Sequence, residues 1–168
     1  IKLRGRTDLL QRAWLPLHNY FLNHPVDYPT DDVNLHSTPL SGVEIARRRL
    51  GPAQVDAINH ARQIAHLPRA QGGYYVSDSI SVDSNAFRKF EAYHGIVVSS
   101  LGFEMPIIST EGGAVAGAVE DPRYPVLSDD DVSAETLFAY RYMIEQAPAY
   151  YFAFTPWLLA NAAGGHSD

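Results

Sequence analysis

Three short runs of apolar and aromatic residues recur along the chain, separated by longer segments whose apolar residues have helical spacing. The runs cover residues 13–21, 105–110 and 150–155, and each is rich in the aromatic or β-branched side chains that favour strands. Pro16 counts against a central place for the first run, because proline cannot donate to the hydrogen-bond ladder. The second run carries no charge before Glu111, which is typical of a strand buried on both faces of a parallel sheet.

The segment after the first strand begins with a polar loop over 26–40 and continues with two predicted helices. Ser41 and Glu44 have the spacing of a capping box, and Pro52 suits the first turn of the second helix. Each helix carries one apolar stripe. The whole insertion, residues 24–82, is longer than a usual connection, and we expect it to cover a cleft.

Two further helices precede the second and third strands. Ser84 is the predicted N-cap of a helix over 85–101, and Gly102 suits its C-terminal end. Aspartates at 129–131 complement the dipole of a helix that runs to about residue 146. The apolar stripe of this last helix consists of Leu137, Tyr140 and Ile144.

Strands that alternate with helices require right-handed crossovers and a parallel sheet, so the predicted class is α/β. Ligands of such sheets bind at the carboxyl ends of the strands. The polar and aromatic side chains at those ends are His18, Tyr20, Glu111, Thr155 and Trp157.

Composition narrows the functional classes. The chain has 19 acidic and 13 basic residues and a net charge of -6, and it has one basic cluster, at 47–49. Because binding to a phosphate backbone needs many clustered cations, this charge distribution counts against nucleic acid as a partner. No apolar run approaches the roughly 20 residues that cross a bilayer, and residues 1–8 lack the apolar core of a signal peptide, so we expect a soluble protein without a membrane partner. Because there is no cysteine, a metal site would need His and carboxylates.

Glu111 is the sharpest chemical feature, since it follows an apolar strand and precedes two glycines that leave the backbone open to a ligand. It could instead stabilise a loop or a helix end. His18 and Tyr20 share one strand face and could donate to a carboxylate on a neighbouring strand, or they could be ordinary core residues. The aromatic ring of Trp157 could stack on the apolar face of a sugar, or it could only pack at the end of the strand.

These segments resemble clan A glycoside hydrolases, which are (β/α)8 barrels. Residues 107–113, Ile-Ile-Ser-Thr-Glu-Gly-Gly, are similar to the seventh strand of that clan, where a Thr-Glu ending presents the catalytic nucleophile. Residues 17–20, Leu-His-Asn-Tyr, resemble the sixth strand, and residues 152–157, Phe-Ala-Phe-Thr-Pro-Trp, resemble the eighth. The order and spacing of the three agree and cover most of the chain from 13 to 159.

The resemblance implies retaining hydrolysis of O-glycosidic bonds, without a metal or another cofactor. In this interpretation Glu111 is the nucleophile. The substrate-binding residues would be His18, Asn19, Tyr20, Gly112 and Trp157, with Tyr20 orienting the nucleophile and Trp157 stacking under the sugar. Carbohydrate is then the substrate, and an extracellular or periplasmic location is compatible with the resemblance.

One part of the clan pattern is missing. The general acid of the clan comes from an Asn-Glu pair that ends the fourth strand, and this chain contains no Asn-Glu dipeptide. A complete barrel takes about 250 residues, and three strands cannot close one. The resemblance therefore implies that residues 1–168 form the C-terminal portion of a TIM barrel, about three βα units with strands six to eight. The rest of the barrel, or a partner chain, would cover the exposed sheet edge.

Two other functions stay open. A non-catalytic carbohydrate-binding or scaffold domain derived from such a barrel would account for the missing acid. A metal-dependent hydrolase is the second alternative, although the compact His-Glu-x-x-His spacing does not occur. Its candidate ligands are His18, His24, His36, Asp27, Asp31 and Asp32.

Overall fold

The computed structural model describes residues 5, 7–65 and 85–157, which form three strands and six helices. The elements, in chain order, are α1 (Thr7–Leu10), β1 (Leu15–Leu22), α2 (Asp32–His36), α3 (Gly42–Arg48), α4 (Pro52–Ile64), α5 (Lys89–Leu101), β2 (Ile107–Ala114), α6 (Asp129–Glu145) and β3 (Tyr151–Phe154). The predicted N-cap Ser84 and the residues around Gly72 lie outside the described residues.

The three strands form an open parallel sheet in the order β1-β2-β3. Helix α5 packs against β1, and α6 packs against β2 and β3. The predicted α/β class with parallel strands is confirmed. Within the described part of the chain β1 pairs only with β2, so Pro16 lies on an edge strand, where proline is tolerated.

One face of the sheet carries the core, and an aromatic cluster fills it. Phe87 lies at the centre, with its ring in edge-to-face contact with the rings of Phe21, Phe90, Tyr151 and Phe154. Such pairs add about 0.5–1.5 kcal/mol each beyond the burial of their surface. The helices pack on this face, so the strand side chains that point toward it are the buried ones.

The opposite face of the sheet is not covered by any element among residues 7–65 and 85–157. His18 on β1 and Phe152 on β3 are exposed there, and Ile108 on β2 is only half-buried. The expectation that β2 is buried on both faces is therefore wrong for the described structure. Nor does β2 end at Glu111, since it continues through Ala114.

The apolar stripe predicted for α6 is not the buried side of the helix. Leu137 and Ile144 are 70% and 84% exposed, and Tyr140 is exposed as well. The residues that pack on the core are Val132, Ala139, Tyr142 and Met143. Apolar residues lie on more than one side of this helix, so their spacing alone does not indicate which side is buried.

Side-chain caps fix the starts of two predicted helices, α3 and α6. The helix predicted from residue 85 instead begins at Lys89, without a side-chain cap. Ser41 accepts from the backbone N–H of Glu44, whose carboxylate accepts from the backbone of Ser41, which confirms the capping box of α3. Ser128 and Asp131 form the same arrangement at the start of α6. Asp131 also accepts from Arg47 at 2.9 Å, which ties α3 to α6.

A buried polar network joins the loop after β1 to the loop after β2. Arg123 and Asp121 are both fully buried and form an ion pair at 2.7 Å, and Arg123 also donates to Asn34 at 3.0 Å. Asn23 donates to the carbonyl of Asp121 at 2.8 Å. Burial alone would raise the pKa of Asp121, but hydrogen bonds from His24 and Arg123 and the charge of Arg123 bring it below its ordinary value.

We expect Asp121→Asn to lower the free energy of unfolding by about 3–5 kcal/mol, because it leaves the buried charge of Arg123 unpaired. Chemical denaturation at pH 7 measures the loss. Glu120→Gln is the matched control, since Glu120 is exposed and adjacent, and it should change stability by less than about 0.5 kcal/mol. Equal effects of the two substitutions would contradict a structural role for the pair.

Candidate active site

A β-bulge in β2 determines where Glu111 points. Leu17 pairs with Ser109 and His18 pairs with Glu111, so Thr110 is an extra residue without a partner on β1. In a regular strand Glu111 would share the helix-covered face with Ser109. The extra residue reverses the alternation and turns the Glu111 carboxylate toward the open face. Bulges next to functional sites often re-aim a side chain in this way.

Two side chains of β1 approach the same oxygen of Glu111. The Tyr20 hydroxyl donates to Glu111 Oε2 at 3.2 Å, and His18 Nδ1 lies 3.6 Å from that oxygen. The Glu111 side chain is 32% exposed and that of His18 is 59% exposed. Because both contacts go to Oε2, neither occupies the lone pairs of Oε1.

The phenol of Tyr20 is kept in its protonated form. Burial raises its pKa, and the hydrogen bond to Glu111 and the negative charge of Glu111 raise it further. Tyr20 therefore remains a hydrogen-bond donor at neutral pH, which fixes the orientation of the carboxylate.

The two glycines after Glu111 are required by the backbone. A Cβ on Gly112 would lie 2.5 Å from the carbonyl oxygen of Asn19, closer than real Cβ atoms approach. Gly113 has a φ of 125°, which side-chain-bearing residues rarely adopt. The carbonyl of Gly112 also accepts from the backbone N–H of Trp157 at 2.8 Å. Gly112 thus links the ends of all three strands.

The structure brings together most of the residues expected in the site. His18 and Tyr20 both contact Glu111, and Gly112 joins this group to Trp157, a residue that is 53% exposed.

Asn19 lies on the opposite face. It is fully buried, and its Nδ2 donates to the carbonyl of Phe87 at 2.8 Å and to the Tyr151 hydroxyl at 3.1 Å. Its side chain therefore holds the core together, and the substrate-binding role expected for Asn19 does not fit this orientation.

The candidate metal ligands do not come together. His24 is 1% exposed, stacks on Tyr28, and uses its two ring nitrogens on Asp121 and on the carbonyl of Asn85. Asp31 caps α2. The described residues hold no group of three His, Cys, Asp or Glu side chains arranged for a metal ion, which gives the metal-dependent hydrolase no support.

A cavity of about 340 Å³ lies away from Glu111. Its lining includes Asp27 and Asp31 of the insertion, Arg48 of α3 and Glu135 of α6. Burial raises the pKa of Glu135 to about 7, against the opposing charges of Arg48 and Arg47. The candidate catalytic and substrate-binding residues do not line this cavity, so it is separate from the cluster around Glu111.

Comparisons with models of protein families, with curated proteins and with solved structures gave no match. The resemblance to clan A glycoside hydrolases therefore rests on the three motifs and their order. Among the helices of the described residues, none has the length and apolar content needed to span a membrane.

Sequence reasoning missed Ser109 and the bulge that follows it. Periodicity cannot reveal a bulge, because the extra residue is defined only by its pairing with the neighbouring strand. The Gly-Gly pair was the one available signal of irregular backbone at this point.

We expect Glu111→Gln to lower the pKa of Tyr20 while leaving it above the ordinary value, because the charge is lost and the burial remains. NMR titration of the protein labelled at tyrosine Cζ measures it, with Tyr20→Phe to assign the signal. Glu120→Gln should leave the titration unchanged. An unchanged Tyr20 pKa in Glu111→Gln would show that the contact does not form in solution.

We expect Gly112→Ala to destabilise the fold by about 3 kcal/mol or more, because the methyl group meets the rigid backbone of Asn19. Thermal and chemical unfolding measure the loss. Gly95→Ala is the control, since this helical glycine has open space around its Cβ position, and it should stabilise α5 by about 0.5–1 kcal/mol. A neutral Gly112→Ala would mean that β1 and β2 are further apart than described.

Proposed function

We propose that this chain is part of a retaining glycoside hydrolase of the (β/α)8-barrel type, with Glu111 as the nucleophile. The observation that supports it is the pair of contacts from Tyr20 and His18 to a single oxygen of Glu111, on the open face of a parallel sheet. A carboxylate oriented through Oε2 presents Oε1 to a substrate, which is the geometry that nucleophilic attack needs.

In the proposed reaction Glu111 Oε1 attacks the anomeric carbon, and the bond from that carbon to the leaving oxygen breaks. A general acid protonates the leaving oxygen, and water then hydrolyses the glycosyl-enzyme. Tyr20 and His18 keep the carboxylate aimed. Tyr20 also donates toward the charge that develops near the ring oxygen.

The aromatic ring of Trp157 is the proposed platform for the sugar. Its backbone N–H bonds to the carbonyl of Gly112, one residue after the proposed nucleophile, and the residue is more than half exposed. A sugar that stacks on the indole would lie near the part of β2 that carries the carboxylate.

The proposed barrel would account for the apolar surface of the described residues. No described residue pairs with the outer edge of β1 or β3, Phe152 is 55% exposed on the uncovered face, and the outer side of α6 exposes Leu137 and Ile144. The remaining strands and helices of a barrel, from the rest of the polypeptide or from a partner chain, would cover these surfaces. They would also supply the general acid.

The test of the function uses the product of the complete reading frame and a panel of activated 2-deoxy-2-fluoroglycosides. Because an activated leaving group departs without protonation, labelling reports on the nucleophile independently of the general acid. We expect the label on the peptide that contains Glu111. Glu111→Gln should abolish labelling and lower kcat by roughly 10³-fold or more.

Glu120→Gln is the control for this experiment and should keep wild-type labelling and turnover. A label on another carboxylate, or full activity in Glu111→Gln, would refute the assignment.

A non-catalytic carbohydrate-binding domain is the second candidate. It is favoured by one observation: the chain contains no Asn-Glu dipeptide, the pair that supplies the general acid in the resembled clan. Retaining hydrolysis needs a second carboxyl group about 5–5.5 Å from the nucleophile. This alternative is supported if the complete protein binds sugar without turnover and Glu111→Gln binds equally well.

A further inference from the structure

A buried hydroxyl spans the bulge that turns Glu111 outward. Ser109 is fully buried, and its Oγ donates to the backbone carbonyl of Glu111 at 2.7 Å. The hydrogen bond therefore closes a short loop around Thr110, the extra residue in the register of β1 and β2. The Thr110 hydroxyl itself donates only at 3.4 Å, to the carbonyl of Leu17.

Ser109 is itself held from both sides of β2. Its carbonyl accepts from the backbone N–H of Thr155 at 3.0 Å, in the segment that follows β3. On its other side Ser109 pairs with Leu17 of β1. The backbone that carries the hydroxyl is thus held by β1 and by the segment after β3.

The position of the bulge decides which face of the sheet receives the carboxylate. If the extra residue lay beyond Glu111, Thr110 would pair with His18 and Glu111 with Asn19, so the carboxylate would lie on the helix-covered face, away from Tyr20. A bulge also interrupts the regular ladder, so the strand pairing alone specifies its place weakly. A buried donor that bonds to the Glu111 carbonyl opposes such a shift.

We propose that Ser109 is a positioning residue for Glu111, because its buried hydroxyl fixes the bulge at Thr110 and so keeps the carboxylate on the open face. The effect on catalysis rests on the proposed function. The effect on the contact between Glu111 and Tyr20 does not, and it can be measured without turnover.

The test compares Ser109→Ala with Ser128→Ala in the protein labelled at tyrosine Cζ. Ser128 is the N-cap of α6 and bonds to Asp131, so its substitution also removes a serine hydroxyl that stabilises the fold, but one outside the sheet. We expect Ser109→Ala to lower the Tyr20 pKa by at least half of the decrease caused by Glu111→Gln. Ser128→Ala should leave it at the wild-type value.

Ser109→Cys provides a milder variant if Ser109→Ala does not fold, since a thiol is a weaker donor of similar shape. It should give an intermediate decrease of the Tyr20 pKa. A wild-type Tyr20 titration in every folded Ser109 variant would overturn the proposal, and so would an equal shift in Ser128→Ala.

Kinetics of the complete protein separate this inference from the proposed function. We expect Ser109→Ala to lower kcat by about 10- to 100-fold with little change in KM, because a displacement of about 1 Å costs that much in a positioned nucleophile. If the wild-type protein is inert to fluorosugars while Ser109→Ala still shifts Tyr20, the proposed function fails and the positioning role stands. Normal kcat and an unshifted Tyr20 in Ser109→Ala, in a protein that is labelled on Glu111, would refute the positioning role alone.

Discussion

The close approach of β1 and β2 at Gly112 is the constraint on which the arrangement around Glu111 depends. At this point the backbone of Asn19 occupies the space that any Cβ on Gly112 would need. The strands can therefore pair past the bulge, and His18 comes to lie directly beside Glu111. With a larger residue the strands would separate, and the contact between the Tyr20 hydroxyl and the carboxylate would be lost.

Two buried systems support this junction from different sides. The aromatic cluster around Phe87 packs beneath the sheet and receives the side chain of Asn19, so the covered face of β1 is fixed. Beyond the strand ends, the ion pair of Asp121 and Arg123 ties together the loops that follow β1 and β2. The strand that carries Glu111 is thus held by buried contacts on its covered face and in the loop that follows it, although the Glu111 side chain is partly open to solvent.

Much of the fold could be predicted from the sequence, because its signals are local. The apolar runs marked all three strands, and the capping box of Ser41 and Glu44 marked the start of α3. The alternation that places His18 and Tyr20 on one face also places Asn19 on the other, yet the motif resemblance assigned all three to substrate.

The remaining features depend on tertiary pairing, which local patterns do not encode. The bulge at Thr110 exists only relative to β1, and the buried side of α6 was ambiguous because Leu137 and Ile144 compete with residues on the other side of the helix. The sequence predicts only that Tyr20 could donate to a carboxylate on a neighbouring strand. Which carboxylate accepts depends on the register of β1 and β2, which brings Tyr20 to Glu111.

The hydrogen bond from the Trp157 amide to the Gly112 carbonyl has a consequence for how such a site can change. The Gly112–Gly113 peptide is bonded to the backbone of Trp157, so the end of β2 and the segment after β3 are mechanically coupled. A mutation that shifts the backbone at Gly112 will therefore displace the backbone of Trp157 as well. Sequence variation should accumulate in the surrounding loops, which can vary in length and shape without disturbing this shared peptide.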